Sequence, residues 1–294
     1  MLISTYGARF YGGQIDRIDQ GLKELGHNVN DFLGPPDLIY CNDMSSWDLA
    51  FHKTRNWSNA KFILNVLDVP FWVSDWKNIH NDWCGKLYGA DKITCISQTV
   101  QKDIKAYFNI DSEVIYNPIK NIYPLNFESR NIFALFVGRA SAPNKRVREI
   151  IWPFYQVLAK NYKNANSMIH FVGSENPGFG TYHGIVSDEE LNRLYNDSAF
   201  TLIPSKQEGL NLPLIESLCA GSIPIVCNDM STALEFSPSE CLCEPSAEGF
   251  VKKMTNIDFL KKADDICLQY GNKYREKFSP KSIASNIISV YHSI

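Results

Sequence analysis

Two glutamates, Glu208 and Glu216, stand in the stretch "SKQEGLNLPLIESLCAGSIPIVCND" (205–229) on either side of a Gly, an Asn and a Pro. Pro213 suits a first helical turn and Gly221 a C-terminal cap, so the stretch predicts a helix over about 212–220, with Asn211 or Leu212 as its N-cap. The amides of Gly209, Leu210, Asn211 and Leu212 then lie at a positive helix end, which binds phosphate without a basic side chain. Glu208 falls in the loop before that end and Glu216 one turn into the helix, so both carboxylates can approach a ligand whose phosphates sit there. A carboxylate accepts hydrogen bonds in pairs, which suits the vicinal hydroxyls of a ribose or a hexose. Taken alone, Glu216 has a plainer reading, since an acid in a first helical turn is favourable to the helix dipole.

A second group of residues is "FVGRASAPNKR" (136–146). A strand ending at Gly138-Arg139, a Pro-containing loop and then Lys145 would put two cations at the carboxyl edge of a parallel sheet, where open α/β folds bind ligands. Together they could neutralise a diphosphate. Arg146 and Arg148 read as a solvated helix start. At the front of the chain, Gly12-Gly13 in "YGARFYGGQIDRI" marks a strand-to-helix turn where backbone can come close to a phosphate or sugar, though a tight turn uses such a pair for steric reasons alone and the GxGxxG pattern is not made.

The elements that must position these residues alternate along the chain. A short apolar strand at 2–5 leads through the Gly-rich turn into a helix with Ile15, Ile18, Leu22 and Leu25 at spacings of three and four. Next come "DLIYC", "KFILNVL", a Trp-rich segment, "KITCIS", the helix "QTVQKDIKAYF" and "SEVIYNPI". This alternation gives a parallel sheet covered by helices. The segment near 119–130 has no clean period and reads as a linker. A second series then runs through "IFALFVGR", a helix near 147–160, "SMIHFVG", a helix after "VSDEE", "FTLIP", the helix at 212–220 and "IPIVC". The reading is α/β, two doubly wound halves.

Bulk properties narrow the partners. The 294 residues carry a formal charge of −3, which gives no global reason to expect a polyanion or an anionic membrane. Eight cysteines form no CxxC pairs and several sit in apolar runs, as free thiols in a reducing compartment do. No apolar run reaches the length of a membrane span and the N-terminus lacks a leader pattern, so the expectation is a soluble, unprocessed, cytoplasmic protein without an integral membrane segment.

The E-x7-E pattern of Glu208 and Glu216, with "VGR" and a downstream Lys, "LIPS" before the first Glu and "AGSIPIVC" after the second, resembles the retaining glycosyltransferases of family 4, whose fold is GT-B. "GGQIDRIDQGLKELGHNV", "ITCISQTVQKDI…VIYNPI" and "HGIVSDEELNRLYNDSAF" extend the likeness over most of residues 1–230. The resemblance implies two Rossmann-like domains facing a cleft: an acceptor domain over 1–119, joined by a last helix at 279–294 that crosses back to it, and a nucleotide-sugar donor domain over 120–278. It implies a metal-independent transfer of a sugar, hexosyl or pentosyl, from a nucleotide-diphosphate sugar to a hydroxyl acceptor, with no cofactor beyond the donor substrate. Arg139 and Lys145 would stabilise the diphosphate as charge builds on it. Glu216 would hold the ribose hydroxyls and Glu208 the transferred sugar. Leu210 and Asn211 would touch phosphate or sugar through their amides, with Gly138, Gly209 and Leu212 around them, and Gly13 would close over the diphosphate from the other side. Backbone near His183-Gly184 would read the base. The family keeps the anomeric configuration through a front-face mechanism in which the departing phosphate helps deprotonate the acceptor. The chain contains no D-x-D triplet, in keeping with a metal-free donor site.

Departures from the pattern fall on the acceptor side. Leu67-Asp68 stands where many members carry His-Asp, so Asp68 is left alone, with a strand-end turn acid as its plain reading. Five of six tryptophans fall at 47, 57, 72, 76 and 83. They either pack a small domain or stack on an acceptor. Asp68, Trp72, Asp75 and Trp76 are the acceptor-side candidates, with His80 and Asp82 nearby. The acceptor class stays open among glycans, metabolites and a hydroxymethylated DNA base, the last needing a cationic track for which Lys102, Lys105, Arg146 and Arg148 are the available pieces. Two other readings compete: a GT-B-like binder of nucleotide or glycan without turnover, and a nucleotide-sugar epimerase, which would need no acceptor.

Overall fold

Runs of β-branched and aromatic residues bounded by turn residues alternate with amphipathic helices, and two parallel sheets result. The structure, a computed structural model, describes residues 1–7, 13–30, 34–54, 59–69, 76–125 and 130–294. In chain order the elements are β1 (Leu2–Tyr6), α1 (Gln14–Glu24), β2 (Asn28–Val29), β3 (Leu38–Cys41), α2 (Trp47–Thr54), β4 (Lys61–Val66), α3 (Trp76–Tyr88), β5 (Lys92–Cys95), α4 (Gln98–Phe108) and β6 (Glu113–Val114). They continue with β7 (Ile132–Val137), α5 (Trp152–Asn161), β8 (Ile169–Val172), β9 (Thr181–Tyr182), α6 (Asp188–Asp197), β10 (Ser198–Ile203), α7 (Leu212–Ala220) and β11 (Ile223–Cys227). The last are α8 (Ala233–Phe236), β12 (Leu242–Cys243), α9 (Ala247–Met254), α10 (Ile257–Leu260), α11 (Ala263–Lys277) and α12 (Pro280–Tyr291).

Contacts divide the chain into two units, Met1–Ile119 with Lys277–Ile294, and Lys120–Glu276. The first contains a six-stranded sheet in the order β2-β1-β3-β4-β5-β6, every pairing parallel. Its strand order reverses between β1 and β3. The core on the α1 face joins Ile3, Leu38, Tyr40 and Ile63 of the sheet to Ile15, Ile18 and Leu22 of α1 and to Ile283, Ala284, Ile287 and Val290 of α12. Helix α12 starts cleanly because Ser279 caps it, accepting from Ser282 N–H at 3.1 Å, and Pro280 occupies its first turn.

The second unit holds a parallel sheet in the order β12-β11-β10-β7-β8-β9. Counted within the unit, this is the doubly wound order with its switch point between β7 and β10. Strands buried on both faces read as continuous apolar runs, as β11, "IPIVC", does with all five residues buried. The loops leaving β7 and β10 carry Arg139 and Lys145 on one side of the switch point and Glu208 on the other. The single helix that the sequence predicts near 147–160 is divided in the fold: residues 147–151 form a π-helical turn, which passes into α5.

Candidate donor site in the second unit

Helix α7 has the predicted limits. Asn211 is its N-cap, the side-chain oxygen accepting from Leu214 N–H at 3.0 Å, Pro213 lies in the first turn, and Gly221 ends the helix in the left-handed conformation. Among the described residues, the amides of Gly209, Leu210 and Asn211 donate to no group of the chain. Three successive N–H groups at the positive end of a helix form an anion receptor.

Glu216 is the fifth residue of α7, past the first turn, so the dipole does not account for it. It is 3% exposed, and Tyr195 Oη of α6 donates to its Oε2 at 3.1 Å. Burial and the neighbouring carboxylate push the Tyr195 hydroxyl well above the usual phenol range, so it stays a donor. A buried carboxylate held by a fixed hydroxyl costs desolvation, and a ligand offering two more hydroxyls would offset that cost.

Lys145 and Glu208 meet. Lys145 Nζ lies 2.6 Å from Glu208 Oε1, with the two side chains 17% and 11% exposed. The contact is an ion pair between two mostly buried side chains. Arg139 is exposed at the end of β7, near Glu175, whose carboxylate accepts from Ser141 N–H at 2.9 Å. Gly138 and Gly173 touch at the ends of β7 and β8: a Cβ on Gly173 would lie 2.1 Å from Gly138 O, so only glycine fits there. Gly184 is in the left-handed region with open space where a side chain would point, and its carbonyl accepts from Gly173 N–H at 2.9 Å.

The side chain of His183 does not point away from its own unit. Its Nε2 shares a hydrogen bond with His170 Nδ1 at 2.9 Å, the two rings 4.9 Å apart. Burial holds both imidazoles below the ordinary histidine range, and His170 is lowered further by His183. The folded chain therefore binds fewer protons here than the unfolded one. The stability this pair contributes is complete above the unfolded value of about 6.5 and is lost as pH falls through the lowered folded values. The melting temperature is expected to decline on acidification from about pH 7 to 5, and the decline to flatten in His170→Phe; an identical pH profile in that variant would refute this assignment.

Arg146 corrects the expectation of a solvated helix start, whereas Arg148 is exposed as that expectation has it. Arg146 is 7% exposed and forms a two-pronged ion pair with Asp229, Nη1 to Oδ2 at 2.7 Å and Nη2 to Oδ1 at 2.6 Å. Arg148 donates to Pro177 O at 2.7 Å and lies over the rings of Trp152 and Phe179. Lys105 pairs with Asp111 at 2.9 Å. Three of the four cations considered for a nucleic-acid track are thus engaged within the chain.

In the first unit, Gly13 is the left-handed N-cap residue of α1. Asp68 is exposed two residues past β4. Trp72 and Asp75 lie outside the described residues, as does Trp57, and of Trp76 only its place at the start of α3 is described. Trp47 is a packing residue: its Nε1 donates to Lys86 O at 2.9 Å and its ring stacks on Phe51 at 4.2 Å. Trp83 and His80 both stack on Phe108, at 5.9 and 5.3 Å, and Asp82 pairs with Lys86 at 3.1 Å.

Sequence reasoning missed Tyr195, Ser231 and Asp229, and it took in His170 only as part of "IHFVG" (169–173), a stretch that the resemblance sets beside the base. Asp229 carried a signal, an acid two residues past the carboxyl end of an apolar strand. Tyr195 carried none, because a helical tyrosine next to Leu194 and one turn on from Leu191 reads as core.

No protein-family model matches the chain. Over 190 residues it is 25% identical to the O-antigen chain mannosyltransferase B of Escherichia coli, a match that covers 60% of this chain and 45% of that protein, so the chain spans less than half of that relative's length. It superposes on sucrose-phosphate synthase from Thermosynechococcus elongatus with a TM-score of 0.76 at 14% identity, covering 100% of this chain and 98% of that one. Anabaena HepE, solved in complex with UDP and glucose, matches with a TM-score of 0.76 at 14% identity over 100% and 99% of the two chains. The chain has the GT-B fold. Among its described residues, no helix is long and apolar enough to cross a membrane.

Proposed function

We propose that the chain is a retaining glycosyltransferase that moves a hexosyl group from a nucleotide-diphosphate sugar to a hydroxyl acceptor. The observation that carries this reading is the meeting of Lys145 and Glu208 beside three unengaged amides at the start of α7. A binder of a neutral glycan would need no such cation, and a phosphate binder would need no acid beside it. In the proposed reaction the bond from the sugar's anomeric carbon to the diphosphate oxygen breaks, a bond to the acceptor oxygen forms on the same face, and the acceptor's proton leaves on the departing phosphate. Lys145, Arg139 and the amides of 209–211 stabilise the negative charge that the diphosphate gains. Glu208 orients the sugar through its hydroxyls, and Glu216, braced by Tyr195, accepts from the ribose. The names of the mannosyltransferase relative and of HepE, with its UDP and glucose, support a hexosyl donor and make UDP the first nucleotide to try.

The test is thermal stabilisation by nucleoside diphosphates and their sugars. Saturation at about 100 times the dissociation constant adds about 2.7 kcal/mol, or roughly 5–10 °C for a unit of this size. One nucleotide is expected to give that rise, and Glu216→Ala is expected to lose it. No rise with any nucleotide, together with no transfer from any nucleotide sugar, would overturn the reading. Release of an altered sugar nucleotide without an acceptor would replace it with an epimerase.

A further inference from the structure

Three loops leave the carboxyl edge of the second sheet around its switch point, after β7, β10 and β11. A single side chain ties them. Arg146 donates through Nε to Pro204 O at 2.6 Å and through Nη2 to Ser205 O at 3.1 Å, while both terminal nitrogens grip the Asp229 carboxylate. It does so from a left-handed backbone (φ 48°), which an arginine keeps only where its surroundings impose it. Neighbouring bonds run the same way. Lys206 N–H donates to Asn144 O, and Asn144 Nδ2 to Gln207 O, both at 2.9 Å. On the far side, Ser231 N–H donates to Lys206 O at 2.9 Å, and Ser231 Oγ accepts from Glu208 N–H at 3.0 Å. Lys145 therefore sits in a turn whose two flanking residues are both fastened to the chain that runs into Glu208.

We infer that Arg146 is a positioning residue: its fork to Asp229 holds the Lys145 turn against the 204–208 segment and so sets the Lys145–Glu208 pair that meets the donor's diphosphate. This rests on the glycosyltransferase reading. It differs from a ligand role, because the guanidinium is buried and four of its five N–H donors go to Asp229 and two carbonyls. The ribose grip has a separate anchor, since Tyr195 of α6 donates to Glu216.

The experiment is calorimetric titration of wild type, Arg146→Met and Asp229→Asn with UDP, GDP, ADP and CDP and with the matching monophosphates. The diphosphate that wild type selects is expected to bind at least about tenfold more weakly to Arg146→Met and to Asp229→Asn, with its monophosphate changed by less than about threefold, because a misplacement near 1 Å acts on the β-phosphate that only the diphosphate has. An unchanged diphosphate-to-monophosphate ratio in both variants would overturn the positioning role. So would tighter diphosphate binding in Asp229→Asn, the result expected if Arg146 were itself a phosphate ligand that Asp229 restrains. Should Arg146→Met fail to fold, Asp229→Asn carries the test by itself, since it keeps the shape of the pair. Wild type that binds no nucleotide and transfers from no nucleotide sugar would overturn the glycosyltransferase reading and this inference with it.

Discussion

Lys145→Ala is expected to lower turnover at saturating donor by about 10²- to 10³-fold, the usual cost of deleting one preorganised charge-stabilising donor. The side chain is mostly desolvated and faces Glu208 at 2.6 Å, so its charge acts in a medium that screens it little. Arg139 is exposed at the end of β7, where solvent screens its charge, so Arg139→Ala should lower turnover by less. Lys145→Ala also strands the Glu208 carboxylate, and a lost partner for a mostly buried acid costs about 1–3 kcal/mol of stability. The double variant Lys145→Ala, Glu208→Ala removes the stranded charge. It should regain most of that stability and none of the turnover. Measuring kcat and unfolding free energy on the same three proteins separates the catalytic role from the structural one; a single variant that loses stability but keeps wild-type kcat would refute the catalytic assignment.

Much of the fold is legible in the sequence because its signals are local and agree with one another. Helix α7 can be bounded closely because Pro213 and Gly221 bracket it, and of the two candidate N-caps the structure uses Asn211. Helix α4 is equally plain, with Ser97 accepting from Val100 N–H at its start and Asn109 left-handed at its end. Of the four two-residue strands only β6 is legible, because the apolar run "VIYNPI" extends beyond it; β2, β9 and β12 have no period to read, and their pairing depends on a neighbour already in place. The π-helical turn before α5 is hidden for a similar reason, since the sequence pattern of 147–160 is helical throughout and the departure stems from the left-handed Arg146.

The candidate site divides along the same line. Glu208, Glu216, Lys145 and Arg139 stand out by residue type and spacing, and the structure brings Lys145 to Glu208. What the spacing does not reveal is which charges are consumed inside the protein. Arg146 and Lys145 are adjacent cations in one turn, yet one faces a buried acid beside three unengaged amides and the other is committed to Asp229. Their difference is set by the left-handed turn between them and by residues more than fifty positions away, which no local pattern encodes. The His170–His183 pair is hidden in the same way, each imidazole reading as an isolated residue until β8 and β9 align.

Gly21→Ala is expected to destabilise the first unit by about 2 kcal/mol or more, against the trend that alanine stabilises a helix interior by about 1 kcal/mol relative to glycine. Gly21 lies in α1 where helix α12 crosses, and a Cβ there would stand 2.1 Å from Pro280 O and 3.0 Å from the Ala284 methyl. The first contact is backbone, so no rotamer change relieves it. To make room, α12 must move off α1, and Ile283, Ile287 and Val290 lose burial with it. Gly85, in α3, is the control: among the described residues nothing lies within 4 Å of the position its Cβ would take, so Gly85→Ala should stabilise by about 0.5–1 kcal/mol through helix propensity. Opposite signs at two helical glycines, read by denaturant unfolding, would show that close approach of α12 holds the first unit together. If Gly21→Ala proved as stable as wild type, α12 would be a tail that the unit can shed.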